Sequence, residues 1–166
     1  MKELRLILSE NEQVLFDYFN DIDLFEEQRY INYKINVDFL MNETLLHESI
    51  FKAELICVGE FENNNLKDIA IFKFPSNKRT NRSITLYFIS NLNAEFIKKV
   101  ISYTKKYVEK DYNKIKIYIR DCFNKDKIIN IFTKIGFEQE IQYSTAVGEV
   151  YILSYFLGLK TYAKID

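Results

Sequence analysis

Between Glu54 and Arg120 the hydrophobic period of the chain changes twice, and this restricts the fold more than any other feature. Glu54–Phe61 (ELICVGEF), Asp68–Phe74 (DIAIFKF) and Ser83–Ser90 (SITLYFIS) are short apolar runs separated by the turn-rich stretches ENNNLK and PSNKRTNR. They read as three strands, the first two a plausible antiparallel hairpin. Apolar residues then recur at helical spacing, at Phe96, Ile97, Val100, Ile101, Tyr103, Tyr107 and Val108. Asn93 is placed to cap that helix, with Glu95 in its first turn, and Lys105, Lys106 and Lys110 sit near its end, where cations suit the helix dipole. Lys114–Arg120 (KIKIYIR) returns to strict alternation, with Ile115, Ile117 and Ile119 on one face.

The flanks extend the pattern. Leu4, Leu6 and Leu8 alternate with Arg5 and Ile7, as in a short strand. Ser9 followed by Glu12 is a capping-box signature for a helix that buries Val14, Leu15, Tyr18 and Phe19. Phe39, Leu40, Leu45 and Leu46 mark one or two short helices within Asp23–Lys52. Toward the C-terminus, Ile128, Ile131, Phe132 and Ile135 share one face of a helix over Asp126–Ile135. Gly136 stands just past its end, where a left-handed backbone carries no steric penalty for glycine. Phe137 then folds back onto Phe132, and the chain continues as a strand (EQEIQYS), a turn near Gly148 and a last strand (VYILSYFL).

Length and composition exclude several classes. The 166 residues, 48% of them hydrophobic, suit one domain over residues 1–166. The absence of a long uncharged apolar run or a leader-like N-terminus leads us to expect a soluble cytoplasmic protein with no membrane association. Cys57 and Cys122 are expected to be reduced thiols, and a single histidine, His47, leaves no multi-histidine metal site. The net charge is −1, yet residues 1–30 carry eight acids against three bases and residues 94–136 five against eleven. The two ends thus present differently charged surfaces.

The order β-α-(α)-β-β-β-α-β-α-β-β resembles the GNAT superfamily of acyl-CoA-dependent N-acyltransferases over nearly the whole chain. The segment NKDKIINIFTKIGFEQE is similar to that family's N-x-x-A-x-x-x-Y-x-x-x-G-F, KIKIYIRDCFN to the strand before it, and VYILSYFL to its closing strand. The resemblance implies an α+β fold, a central mostly antiparallel sheet of about seven strands with helices on both faces. It implies acetyl-CoA or another acyl-CoA as co-substrate, with no metal. The pantetheine arm would lie against backbone groups of Phe88, Ile89 and Ser90, and the pyrophosphate against the helix start at Asn93, Ala94 and Glu95. Asn124 and Lys127 would complete the cofactor contacts, beside a basic surface that includes Lys98 and Lys99.

The sequence departs from the family at two places. SNLNAEF holds no glycine where the family has Q/R-x-x-G-x-G/A, and Phe132 stands where many members carry a proton-donating tyrosine. Tyr118 is the candidate replacement for that acid, and Tyr87 and Tyr143 are candidates to position the acceptor. Asp21, Asp23, Glu26 and Glu27 lie where the family builds its acceptor pocket, so a small-molecule or peptide amine is the expected acceptor. A degenerate, partner-binding member of the same fold is the alternative. Near-neutral charge makes a nucleic-acid binder the weakest reading, and a homodimer is compatible with the exposed strand ends.

Overall fold

The alternating segments form one sheet and the helical stripes cover both of its faces. The computed structural model describes residues 1–77, 79–122 and 124–158. In chain order the elements are β1 (Lys2–Ile7), α1 (Gln13–Asp21), β2 (Tyr30–Ile31), α2 (Val37–Met41), α3 (Glu43–Phe51), β3 (Leu55–Glu62), β4 (Asn65–Lys73) and β5 (Ser83–Ile89). Then come α4 (Ala94–Val108), β6 (Lys114–Arg120), α5 (Lys125–Ile135), β7 (Glu138–Thr145) and β8 (Gly148–Phe156). The sheet order is β1-β3-β4-β5-β6-β8-β7, with β2 attached to β5. Every pairing is antiparallel except β5 with β6. No helix among the described residues is long and apolar enough to cross a membrane.

Each face of the sheet has its own apolar layer, as the alternation requires. Phe96, Val100, Ile128 and Phe132 of α4 and α5 pack against Ala70, Phe72, Leu86, Ile115 and Ile117. Leu15, Phe19, Leu40 and Leu46 of α1, α2 and α3 pack against Cys57, Ile69, Ile71 and Phe88.

The two expected helix boundaries in the second half form. The Asn93 side chain accepts from the amides of Glu95 and Phe96 at 2.9 and 3.4 Å. Gly136 has φ of 119°, the Phe137 amide donates to the Phe132 carbonyl at 3.0 Å, and the two rings meet edge to face at 5.0 Å.

The capping box at Ser9 does not form. Asn11 accepts from the Leu8 amide at 2.6 Å, α1 starts after Glu12, and the Glu12 carboxylate turns to the His47 ring at 2.5 Å instead. The helix consequently buries Leu15, Phe16 and Phe19, with Val14 and Tyr18 only partly covered. Tyr107, expected in the apolar stripe of α4, is half exposed. The strand β2 was not expected: it raises the sheet to eight strands and lies in the stretch where only helices were foreseen.

Candidate functional site

The site begins with a bulge. Ile71 stands opposite Phe88 and Phe72 opposite Leu86, so Tyr87 is an extra residue in β5. A bulge bends and over-twists its strand. Before it, β5 runs parallel to β6 over Ser83–Thr85 and Lys114–Lys116. Beyond these residues the two strands part and leave a fork.

The fork is filled by the chain itself. The Ser90 amide donates to the Ile69 carbonyl at 2.9 Å, so the backbone groups of Phe88 and Ser90 face β4. Alternation turns Tyr87 and Ile89 toward the other edge. There the Asn32 amide donates to the Tyr87 carbonyl at 2.8 Å, Tyr30 stands opposite Ile89, and the Leu92 amide donates to the Gln28 carbonyl at 2.8 Å. Gln28–Asn32 thus runs along the edge of β5 that β6 vacates.

Tyr30 also closes the opposite side. Its hydroxyl donates to the Tyr118 carbonyl at 2.9 Å and accepts from the Tyr118 amide at 3.1 Å. One residue therefore bonds β5 through its backbone and β6 through its phenol. Its ring is 3% exposed and meets Phe132 at 6.0 Å. Burial holds the phenol well above its usual pKa, against the pull of the Tyr118 amide, whose N–H favours the charged form.

A thioester arm lying along β5 would need these same edge groups. Of Phe88, Ile89 and Ser90, only Ile89 faces the fork, and Tyr30 is its partner. The slot as it stands does not fit an acyl-CoA. At the start of α4, the amides of Glu95 and Phe96 bond the Asn93 side chain, and exposed Glu95 lies 3.8 Å from Lys98. Ala94 is the first residue of that helix. Lys99 reaches the buried Glu60 at 3.8 Å. At the start of α5, the Asn124 side chain accepts from the Cys122 thiol at 3.0 Å, and Lys127 is exposed.

Beside the filled fork lies a cleft of about 400 Å³, bounded by Leu24, Arg29, Tyr33, Tyr118, Cys122 and Asn124 among others. Of the three tyrosine candidates, Tyr118 lines it and Tyr143 touches it through Tyr33. The Tyr143 and Tyr33 hydroxyls are 3.0 Å apart, and the Lys34 ammonium sits 4.5 Å above the Tyr118 ring. Burial, then the Tyr143 contact, pushes Tyr33 up to about 12, and burial followed by proximity to Tyr143 and Glu140 raises Tyr118. At neutral pH both phenols are protonated donors.

Tyr87 is not part of that group. It lines a second cavity of about 270 Å³ with Phe39, Glu54 and Lys73, whose ammonium lies 5.3 Å from its ring; Lys34 lines this cavity too. Of the four acids, Glu26 pairs with Arg29 at 2.5 Å, Asp23 accepts from the Phe25 amide at 2.9 Å, Glu27 borders the first cleft, and Asp21 ends α1 exposed. Sequence reasoning missed Tyr30, Asn32, Tyr33 and Lys34. Their one signal was the cluster YINYK, two aromatics set in an otherwise acidic, uncapped stretch.

No family profile and no curated protein matches the sequence. Solved structures do match, over nearly the full length of both partners. A probable acetyltransferase from Staphylococcus epidermidis ATCC 12228 superposes with a TM-score of 0.69 at 18% identity, covering 94% of this chain and 99% of the other. An N-acetyltransferase from Staphylococcus aureus Mu50 gives 0.62 at 17% identity, covering 95% and 98%. The ribosomal-protein-S18-alanine N-acetyltransferase from Escherichia coli gives 0.61 at 11% identity, covering 98% of each. With its bulged, forked sheet and its helices on both faces, the chain has the fold of the GNAT acetyltransferases, as a divergent example of it.

Proposed function

We propose that the chain is an N-acyltransferase that moves an acetyl or other acyl group from acyl-CoA to an amine on a small molecule or peptide. The observation that carries this reading is the fork. A bulge at Tyr87 and a parallel contact limited to Ser83–Thr85 open the sheet where a packed core needs no opening. The structural neighbours that share this architecture across the whole chain are acetyltransferases, one of them named for an alanine of a ribosomal protein. Tyr118 and Tyr143, with Tyr33, are our candidates for orienting the amine and carrying a proton. Glu26 pairs with Arg29, and Arg120 lines the same cleft, so exposed Glu27 is the carboxylate we assign to a cationic acceptor.

Two observations favour a second reading, a GNAT-like domain that binds a partner without catalysis. The edge groups of the fork are already paired, and Phe132, fully buried, replaces the tyrosine acid. Calorimetric titration with acetyl-CoA, followed by thiol release in the presence of amines, separates the two. The enzyme reading expects saturable binding, stabilisation of about 2.7 kcal/mol at a hundredfold excess over Kd, and amine-dependent thiol release. No binding at millimolar acetyl-CoA overturns it.

A further inference from the structure

We propose that Gln28–Asn32 is a displaceable strap, and that an acyl-thioester arm enters the fork only by taking its place. The second half of this statement rests on the acyltransferase reading; the first half does not.

Four observations support the strap. First, its backbone attachment is narrow, and of its side chains the Tyr30 ring is the one seated in the core under α4 and α5. The ladder with β5 is the two residues of β2, flanked by one bond at each end, from Asn32 to Tyr87 and from Leu92 to Gln28. The β4–β5 ladder on the other edge comes from neighbours in sequence and extends over Ala70–Lys73.

Second, the strap is closed at a penalty. Asn32 is 1% exposed; its side-chain oxygen accepts from the Lys34 amide at 3.0 Å, but its side-chain nitrogen is buried with no partner. The Arg29 Nε is also buried without a partner. Unsatisfied buried donors weigh against the conformation that buries them. Opening rehydrates both.

Third, there is somewhere to go. The cleft of about 400 Å³ adjoins the strap on its β6 side and is walled by Leu24, Tyr30, Asn32, Tyr118 and Ile128. The strap is tethered at either end by Leu24 and Ile35, both buried in the layer under α1, α2 and α3. Arg29 bonds the Glu26 carboxylate and, just before the Leu24 tether, the Asp23 carbonyl.

Fourth, what the strap supplies is generic. The edge of β5 receives a carbonyl and an amide two positions either side of Tyr30, and β6 receives one hydroxyl. Any extended, amide-bearing arm offers similar groups. Pantetheine carries two amides. The strap and the arm therefore compete for one set of partners, and each excludes the other.

The test has an arm that needs no ligand. Amide hydrogen exchange on the whole chain is read residue by residue by NMR. The strap predicts that the amides of Asn32, Leu92 and Tyr118 exchange as one group, at least about a hundredfold faster than those of Phe88 and Ser90, which face β4. Equal protection on both edges overturns the strap. Tyr30→Phe removes the hydroxyl from β6 and should accelerate the same group further; unchanged exchange also overturns it.

The second arm titrates acetyl-CoA into wild type and Tyr30→Phe, with folding verified by the protection of Phe88 and Ser90. Displacement predicts about tenfold tighter binding to the variant. Equal or weaker binding, or protection of the Asn32 amide retained at saturation, overturns displacement. Fast exchange of the strap with no binding to either protein sinks the acyltransferase reading and leaves the strap standing.

Discussion

The two edges of β5 do the same job by different means. Toward β4 the partner is a neighbouring strand, the apolar residues Ile69, Ala70, Ile71 and Phe72 are fully buried, and the two apolar layers meet across it. Toward β6 the partner changes midway: a strand as far as Thr85, then the strap, with a phenol completing the bridge to Tyr118. Hydrophobic burial fixes the first edge. The second is held by a few hydrogen bonds, each of net value about 0.5–1.5 kcal/mol, and by one buried ring, that of Tyr30. Identical pairing on paper thus hides a large difference in what it takes to undo each edge.

That contrast can be broken by experiment. The largest expected effect is on thiol labelling. Cys122 is exposed beside the cleft, whereas Cys57 is buried on β3 and its thiol is pushed up to about 12, first by burial and then by the Glu12 charge. Cys122 should react with a maleimide about a thousandfold or more faster than Cys57, which waits for opening of the core. Comparable rates would mean that the inner edge is as loose as the outer. Next is a matched pair of truncations. Ile71→Ala removes a 0% exposed side chain and should lower unfolding free energy by about 2–5 kcal/mol in urea titration. Ile31→Ala, on the partly exposed strap, should cost under about 1 kcal/mol. Similar costs would erase the distinction between the edges.

Asn93→Ala sharpens it at the far end of the fork. The substitution strips α4 of its cap and should lower stability by about 1 kcal/mol, again by urea titration. The smallest effect concerns the wall beyond β6. Burial alone would raise the Glu140 carboxyl, but the Ser154 hydroxyl at 2.5 Å and the Lys114 ammonium at 2.9 Å outweigh it and hold the group below its usual 4.5. A lowered pKa in the folded state stabilises above the unfolded value and is lost as pH falls through the folded one. Wild type should therefore lose more stability than Glu140→Gln on acidification from about pH 6 to about pH 3, by under about 1 kcal/mol. A larger loss in the variant would mean that Lys114 does not brace this wall.

The parts of the molecule that could be read from sequence are those whose signals are local. Gly136 ends α5 because a left-handed residue is needed there, and the Phe132–Phe137 contact follows from the same turn. Asn93 caps α4 through its own side chain. Strands β3 to β5 announce themselves as apolar runs between turn-rich stretches, and β6 by alternation. The strap has no such signal. Glu27–Lys34 (EQRYINYK) has no clean period, and its conformation is dictated by a vacancy that two distant strands create. The same limit applied to the site. Tyr118 and Tyr143 could be named as candidates, but nothing local indicated that Tyr33 would meet one and Lys34 cover the other, or that Tyr87 would face a separate cavity. The failed capping box at Ser9 is the converse case: a local signal lost to Asn11 and His47.

The extra residue in β5 has one more effect. Ile84 and Leu86 point into the layer under α4 and α5, Tyr87 and Phe88 both turn to the opposite layer, and Ile89 returns to the first. The strand slips by half a pleat at Tyr87 and carries the new phase onward. Deleting that single residue would leave every other side chain in its own layer and straighten only the backbone, so the opening in the sheet can be excised without rewriting the core that surrounds it.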